Sequence, residues 1–178
     1  VYRSRPTVTD LAAFFKDSVA VTSVNISKWN TSRVTGMAHM FSNCRALNTL
    51  TLPDNFNTSK VTGMYQMFAD CRALTNLDVS NFNTSKVTNM YRMFGGCYNL
   101  KNLDLSNFNT SEVTIIYQMF QNCGRLTNLD LSSFNTSKVK TMYHMFRGCY
   151  SLKNLYLSNF NTSKVTDLEG MLYGCEIL

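Results

Sequence analysis

One string returns along almost the whole chain, and it limits the folds open to it. Its clearest copy is Leu74 to Cys97, LTNLDVSNFNTSKVTNMYRMFGGC. Each copy closes on a cysteine: Cys44, Cys71, Cys97, Cys123, Cys149 and Cys175, at spacings of 27, 26, 26, 26 and 26 residues. A fixed period of roughly 20–50 residues signals a stack of like supersecondary units. A unit this short cannot bury its own apolar face, so stability comes from its neighbours. The 178 residues suit one domain of such units.

Within the unit, L-x-x-L-x-L predicts a strand, as in Leu74, Leu77, Val79 and in Leu100, Leu103, Leu105. One strand per unit, always in the same sense, implies a parallel sheet with the rest of the unit as crossover. A polar F-N-T-S turn follows, then a short extended V-T-x-M piece. Y-x-M-F-x-x-C, as in Tyr91 to Cys97, predicts one or two turns of helix, ended by Gly95-Gly96 or Gly148. Met93, Phe94 and Cys97 then share one buried face. The copy around Pro53-Asp54 carries one extra residue, so a bulge or loosened turn is expected there.

The repeats run from 21 to 178 as six units, the last incomplete or uncapped. Residues 1–20 are a lead-in and cap. VYRSRP is expected to be irregular, since Pro6 stops a helix. Thr7 to Lys16 predicts a short capping helix: Thr7 and Asp10 resemble a capping box, and Leu11, Phe14 and Phe15 share a helical face. The start at Val1-Tyr2-Arg3 reads as a processed protein or an excised fragment.

Matching phases become ladders. One runs from Trp29 through Phe56, Phe82, Phe108 and Phe134 to Phe160; another runs Phe41, Phe68, Phe94, Phe120, Phe146 and ends in Leu172. Phe94→Ala is expected to cost about 3–5 kcal/mol. The six cysteines, all at one phase beside apolar residues and with no CxxC pair, read as a core ladder of small hydrophobes. Bridging between neighbours stays open as the alternative, because stacking brings their backbones within reach.

The string F/W-N-T-S-x-V-T-x-M-x-x-M-F-x-x-C, six times over, resembles the repeat of bacterial BspA-like leucine-rich repeat surface proteins. L-x-x-L-x-L is the strand half of such a repeat. The resemblance implies an α/β leucine-rich repeat solenoid, with a parallel concave β-sheet and short convex extended or helical segments. It also implies a cell-surface or secreted setting and a binding role, often adhesion. One departure stands out. The buried Asn usual after the strand is replaced by Phe or Trp, with Asn one place later, as at Asn83 and Asn109.

The outward strand positions form the first candidate site: Asn76, Asp78, Asn102, Asp104, Asn128, Asp130 and Tyr156. Stacked like charges at Asp78, Asp104 and Asp130 are unfavourable neighbours. They await a cation or basic group, or stand as solvated carboxylates eased by Lys101 and Lys153. Three such groups are a poor start for Ca²⁺, and no metal or cofactor is assigned. A second candidate is the convex row Tyr65, Tyr91, Tyr117 and Tyr143, offered to sugar rings or a protein, or packed ring on ring. A third row, Arg33, Lys60, Lys86, Lys138 and Lys164, is broken by Glu112 and reads as a solvated edge or an acidic-partner surface. The Asn-Thr-Ser sequons read as turn formers.

No catalytic set converges: His39 and His144 lie repeats apart and outside any metal motif. A net charge of +6 without clustered basic runs argues against nucleic acid, and no apolar run is long enough to span a bilayer. With no catalytic set, the resemblance implies a non-enzymatic binding module of a bacterial cell-surface protein, for a protein or glycan. The alternative is a structural spacer or stalk that self-associates through its open C-terminal end.

Overall fold

A computed structural model describes residues 8–178. They coil into a stack, each coil closing at its cysteine. Four short strands are formed: β1 (Ser23–Asn25), β2 (Thr49–Thr51), β3 (Asn128–Asp130) and β4 (Asn154–Tyr156). β1 pairs in parallel with β2, and β3 with β4, each in a register one period apart. Parallel bridges on the opposite side link Asp10 to Gly36, Gly36 to Gly63, Gly63 to Asn89, and Asn89 to Ile115. The strand face is interrupted in the middle. Leu77–Val79 and Leu103–Leu105 form no ladder with each other, and Lys101 N–H to the Thr75 carbonyl, at 3.2 Å, is the one strand-face backbone bond between their coils. The break follows the inserted residue at Pro53, where the Asn81 amide bonds the Asp54 carbonyl at 3.0 Å instead.

The expected helical segments are not helices. Among the described residues there is no helix at all. Each M-x-x-M-F-x-x-C run is two successive turns, closed by bonds such as Met93 N–H to Met90 O and Cys97 N–H to Phe94 O. The third residue of each turn has positive φ: Arg92 at 49° and Gly96 at 80°, Gln118 at 57° and Asn122 at 59°. Alternate N–H groups are thereby aimed along the stack. Phe68, Phe94 and Phe120 each donate at 3.0 Å to the coil that follows. A helix would keep those bonds to itself. At about 10–12 Å across it would also splay a face whose coils are much closer. The phenylalanine rings on that face stack at 5.3–5.9 Å. Gly96 and Gly148 therefore occupy a left-handed turn position, where the sequence suggested a helix end.

The same correction applies to the cap. Thr7 and the lead-in lie outside the described residues. From Asp10 onward the segment forms the turn half of a further coil. Leu11, Ala13, Phe15 and Asp17 donate to Gly36, Ala38, Met40 and Ser42, all at 2.9 Å. Ala13 and Asp17 take the two positive-φ places. Asp10 does cap a turn, accepting from the Ala12 N–H at 2.8 Å, but the turn is not helical. Val8-Thr9-Asp10-Leu11 matches Val165-Thr166-Asp167-Leu168 residue for residue, although its apolar spacing also suits a helix.

Inside, the ladders form. Phe15, Phe41, Phe68, Phe94, Phe120 and Phe146 stack with their planes within 9° of each other. Phe82, Phe108 and Phe134 make the second stack at 6.4 Å. No cysteine is bridged: each thiol is free, and all but Cys175 are buried. The Sγ of Cys71, Cys97, Cys123 and Cys149 donates to the phenylalanine carbonyl of the preceding coil at 3.1–3.2 Å.

Candidate functional site

The polar turn explains itself once the coils are stacked. In Asn83-Thr84-Ser85, the Asn83 carboxamide oxygen accepts from the Ser85 N–H at 3.1 Å and the Ser85 hydroxyl at 2.7 Å. Asn and Ser are turn formers on the surface. The buried member is the threonine. Thr84 Oγ1 donates to the Asn109 carbonyl at 2.9 Å and accepts from the Asn109 N–H at 2.8 Å. Thr58, Thr110 and Thr136 repeat the arrangement. A threonine ladder therefore stands where a buried asparagine is usual. Its place in a sequon, between two residues that look functional, hid it.

The strand-face candidates follow from the same local chemistry. Asp78, Asp104 and Asp130 each accept through Oδ1 from the N–H two residues on, at 2.9 Å from Ser80, Ser106 and Ser132. These serines, by hydroxyl and N–H, hold all three carboxyls below the ordinary carboxylate range. Each carboxylate is thus fixed in orientation by its own turn and ionised at neutral pH. Asn154 donates to Asn128 Oδ1 at 2.6 Å, an amide rung across β3 and β4. Tyr156 pairs in register with Asp130 and is 55% exposed.

Five of the candidates converge. Asn102, Asp104, Asn128, Asp130 and Tyr156 line one open cleft of about 340 Å³, with Leu103, Leu105 and Ser132 at its floor and wall. The cleft opens where no ladder bond joins Leu103–Leu105 to Leu129–Leu131. Asp78 stands apart, in a second cleft of about 240 Å³ beside Pro53 and Asp54. Asn76 is exposed outside both.

The tyrosine row does not make one aromatic surface. Tyr91 and Tyr117 pack on each other at 4.5 Å, Tyr65 meets the His39 ring edge-on at 5.1 Å, and Tyr143 covers His144 at 3.7 Å. In the basic row, Glu112 holds the Lys138 ammonium at 2.8 and 2.9 Å, while Arg33, Lys60, Lys86 and Lys164 are exposed. Burial pushes the Cys97 and Cys149 thiols up to about 12, which makes them inert as nucleophiles.

A family model described as "Mycoplasma protein of unknown function, DUF285" matches residues 9–128 and again 66–178, and so spans the repeats. The chain belongs to the DUF285 family. No curated protein matches it. The fold of this DUF285 chain is that of a Treponema pallidum leucine-rich repeat protein: 23% identity, TM-score 0.64, with 96% of this chain and 72% of that one covered. A Bacteroides ovatus leucine-rich repeat protein aligns at 19% identity and TM-score 0.49, over 90% of this chain and 45% of its own. A leucine-rich cell surface protein of Faecalibacterium prausnitzii aligns at 16% and 0.39, over 80% and 49%. The DUF285 repeats thus share the fold of a bacterial leucine-rich repeat protein, in keeping with the BspA-like resemblance.

Proposed function

We propose that this DUF285 chain is a non-enzymatic binding module, displayed on a bacterial surface or secreted, that engages a protein or glycan through its strand face. The cleft among Asn102, Asp104, Asn128, Asp130 and Tyr156 carries the reading, because oriented polar groups and an exposed aromatic ring meet there in one concavity. Repetition supports it: the same outward positions recur coil after coil and form an extended face on a rigid scaffold. Covalent catalysis needs a nucleophile with a base positioned beside it. Here the buried thiols are spent on backbone carbonyls.

The test is capture of cell-surface protein or glycan by the immobilised chain, beside the triple variant Asp78→Lys, Asp104→Lys, Asp130→Lys. These side chains are exposed, so the variant is expected to keep its circular dichroism spectrum and lose binding by about tenfold or more. Undiminished capture by the folded variant rejects the strand face.

A further inference from the structure

The cleft combines groups that suit different ligands, and their combination narrows the choice. We infer that it is a carbohydrate site, in which one ring of a neutral glycan lies against Tyr156 while its hydroxyls bond Asn102, Asp104, Asn128 and Asp130. This deepens, and rests on, the strand-face reading above.

Several observations carry it. Tyr156 presents an aromatic surface, 55% exposed, directly beside polar groups. It takes the phase that Asp78, Asp104 and Asp130 occupy in the coils before it, so the polar row ends on an aromatic platform. The apolar face of a sugar ring stacks on such a platform, and its edge needs hydrogen bonds of both senses.

Both senses are on offer. Each carboxylate has Oδ1 tied to its serine N–H, which fixes the plane of an acceptor aimed from a defined direction. The amides add donors. Asn102 makes no side-chain hydrogen bond among the described residues, and Asn128 uses one N–H on Thr127 Oγ1 at 3.1 Å, leaving the other. A lysine side chain would satisfy the acceptors and leave these donors idle. A ring of hydroxyls uses both.

Size and charge point the same way. About 340 Å³ is at the small end of ligand pockets, suited to one or two rings rather than a folded epitope. Two ionised carboxylates repel sialylated, uronic or sulfated chains, so the glycan is neutral. One outward amide recurs per repeat, Asn102, Asn128 and Asn154, so a linear glycan laid along the stack meets a further amide beyond the cleft.

The test is titration of the whole chain with neutral hexose and N-acetylhexosamine oligomers, from monosaccharide to tetrasaccharide. Sialylated and sulfated glycans and a lysine-rich peptide serve as comparisons, and the NMR signals of the Asn102 and Asn128 amides and the Tyr156 ring are followed. Neutral glycans are expected to move these signals and bind more tightly with length, while acidic ones do not. Tyr156→Ala should weaken binding about tenfold or more, and Tyr156→Phe by no more than about threefold. The inference is overturned if neutral glycans leave the signals unmoved, if Tyr156→Ala binds like the parent, or if acidic glycans bind equally well. If the lysine-rich peptide alone moves the signals, the sugar assignment fails and the strand face stands. If no probe moves them and capture survives the triple variant, both fail.

Discussion

The hydroxyl of one threonine per coil replaces a backbone-to-backbone bond, and this makes a narrow substitution informative. Thr84→Val keeps the volume but leaves the Asn109 N–H and carbonyl without their partner. The expected loss is about 1–3 kcal/mol in denaturant unfolding, whereas Thr84→Ser retains both bonds and loses only a methyl group, about 0.8 kcal/mol. Equal effects of Val and Ser would show that the site is packing alone. The buried thiols give a pH dependence with a definite sign. Cys97 and Cys149 titrate near 12 when folded, above the ordinary 9.0, because burial disfavours the thiolate. Their contribution to stability is full below pH 9 and is lost as pH rises from there toward 12. The unfolding midpoint should fall across that window, and less steeply in Cys97→Ala/Cys149→Ala. An unchanged slope would assign the alkaline loss to other groups. Gly96 at φ 80° faces the Asp70 carboxylate where a Cβ would be. Gly96→Ala should therefore cost about 1–3 kcal/mol by equilibrium unfolding.

At the scale of the element, the period and the apolar phases were legible from the sequence, and the hydrogen bonding of the crossover was not. Met93, Phe94 and Cys97 fit a helical face and are buried, yet they reach the core from two turns. The two conformations share their spacing over so short a run, and the choice is made by the next coil, which a local pattern cannot contain. The left-handed places were partly visible: Asp17, Asn43, Asp70, Gly96, Asn122, Gly148 and Gly174 are all residue types that tolerate them. The companion position, with Ala13, His39, Gln66, Arg92, Gln118 and His144, carried no such mark before its last member, Gly170. Of the candidate site, the outward strand residues could be named from alternation. Their gathering at one cleft could not, because it depends on where the ladder breaks. The N-terminal half-coil has its own test. Phe15 stacks on Phe41 at 5.3 Å but is only half-buried. Phe15→Ala should cost less than Phe94→Ala, at about 3–5 kcal/mol, and faster amide exchange should stay confined to the half-coil and the coil ending at Cys44. Exchange spreading through every coil would mean the half-coil is no mere end piece.

At the scale of the whole molecule, each coil touches only its neighbours, so cooperativity passes along the stack through ladders rather than through a central core. Backbone, thiol, threonine and ring all connect to a partner about one period away. Removing residues 98–123, one full period, joins Cys97 to Gly124 and restores each of those matches. The shortened chain is expected to unfold in a single transition at a lower midpoint, while removal of half a period should leave no folded product. Calorimetry on the two deletions decides it; equal damage from both would refute the interchangeability of coils. The genetic consequence follows directly. Near-identical copies invite unequal crossing-over, and each such event adds or drops whole courses of this wall, altering how far it extends without a new contact having to evolve.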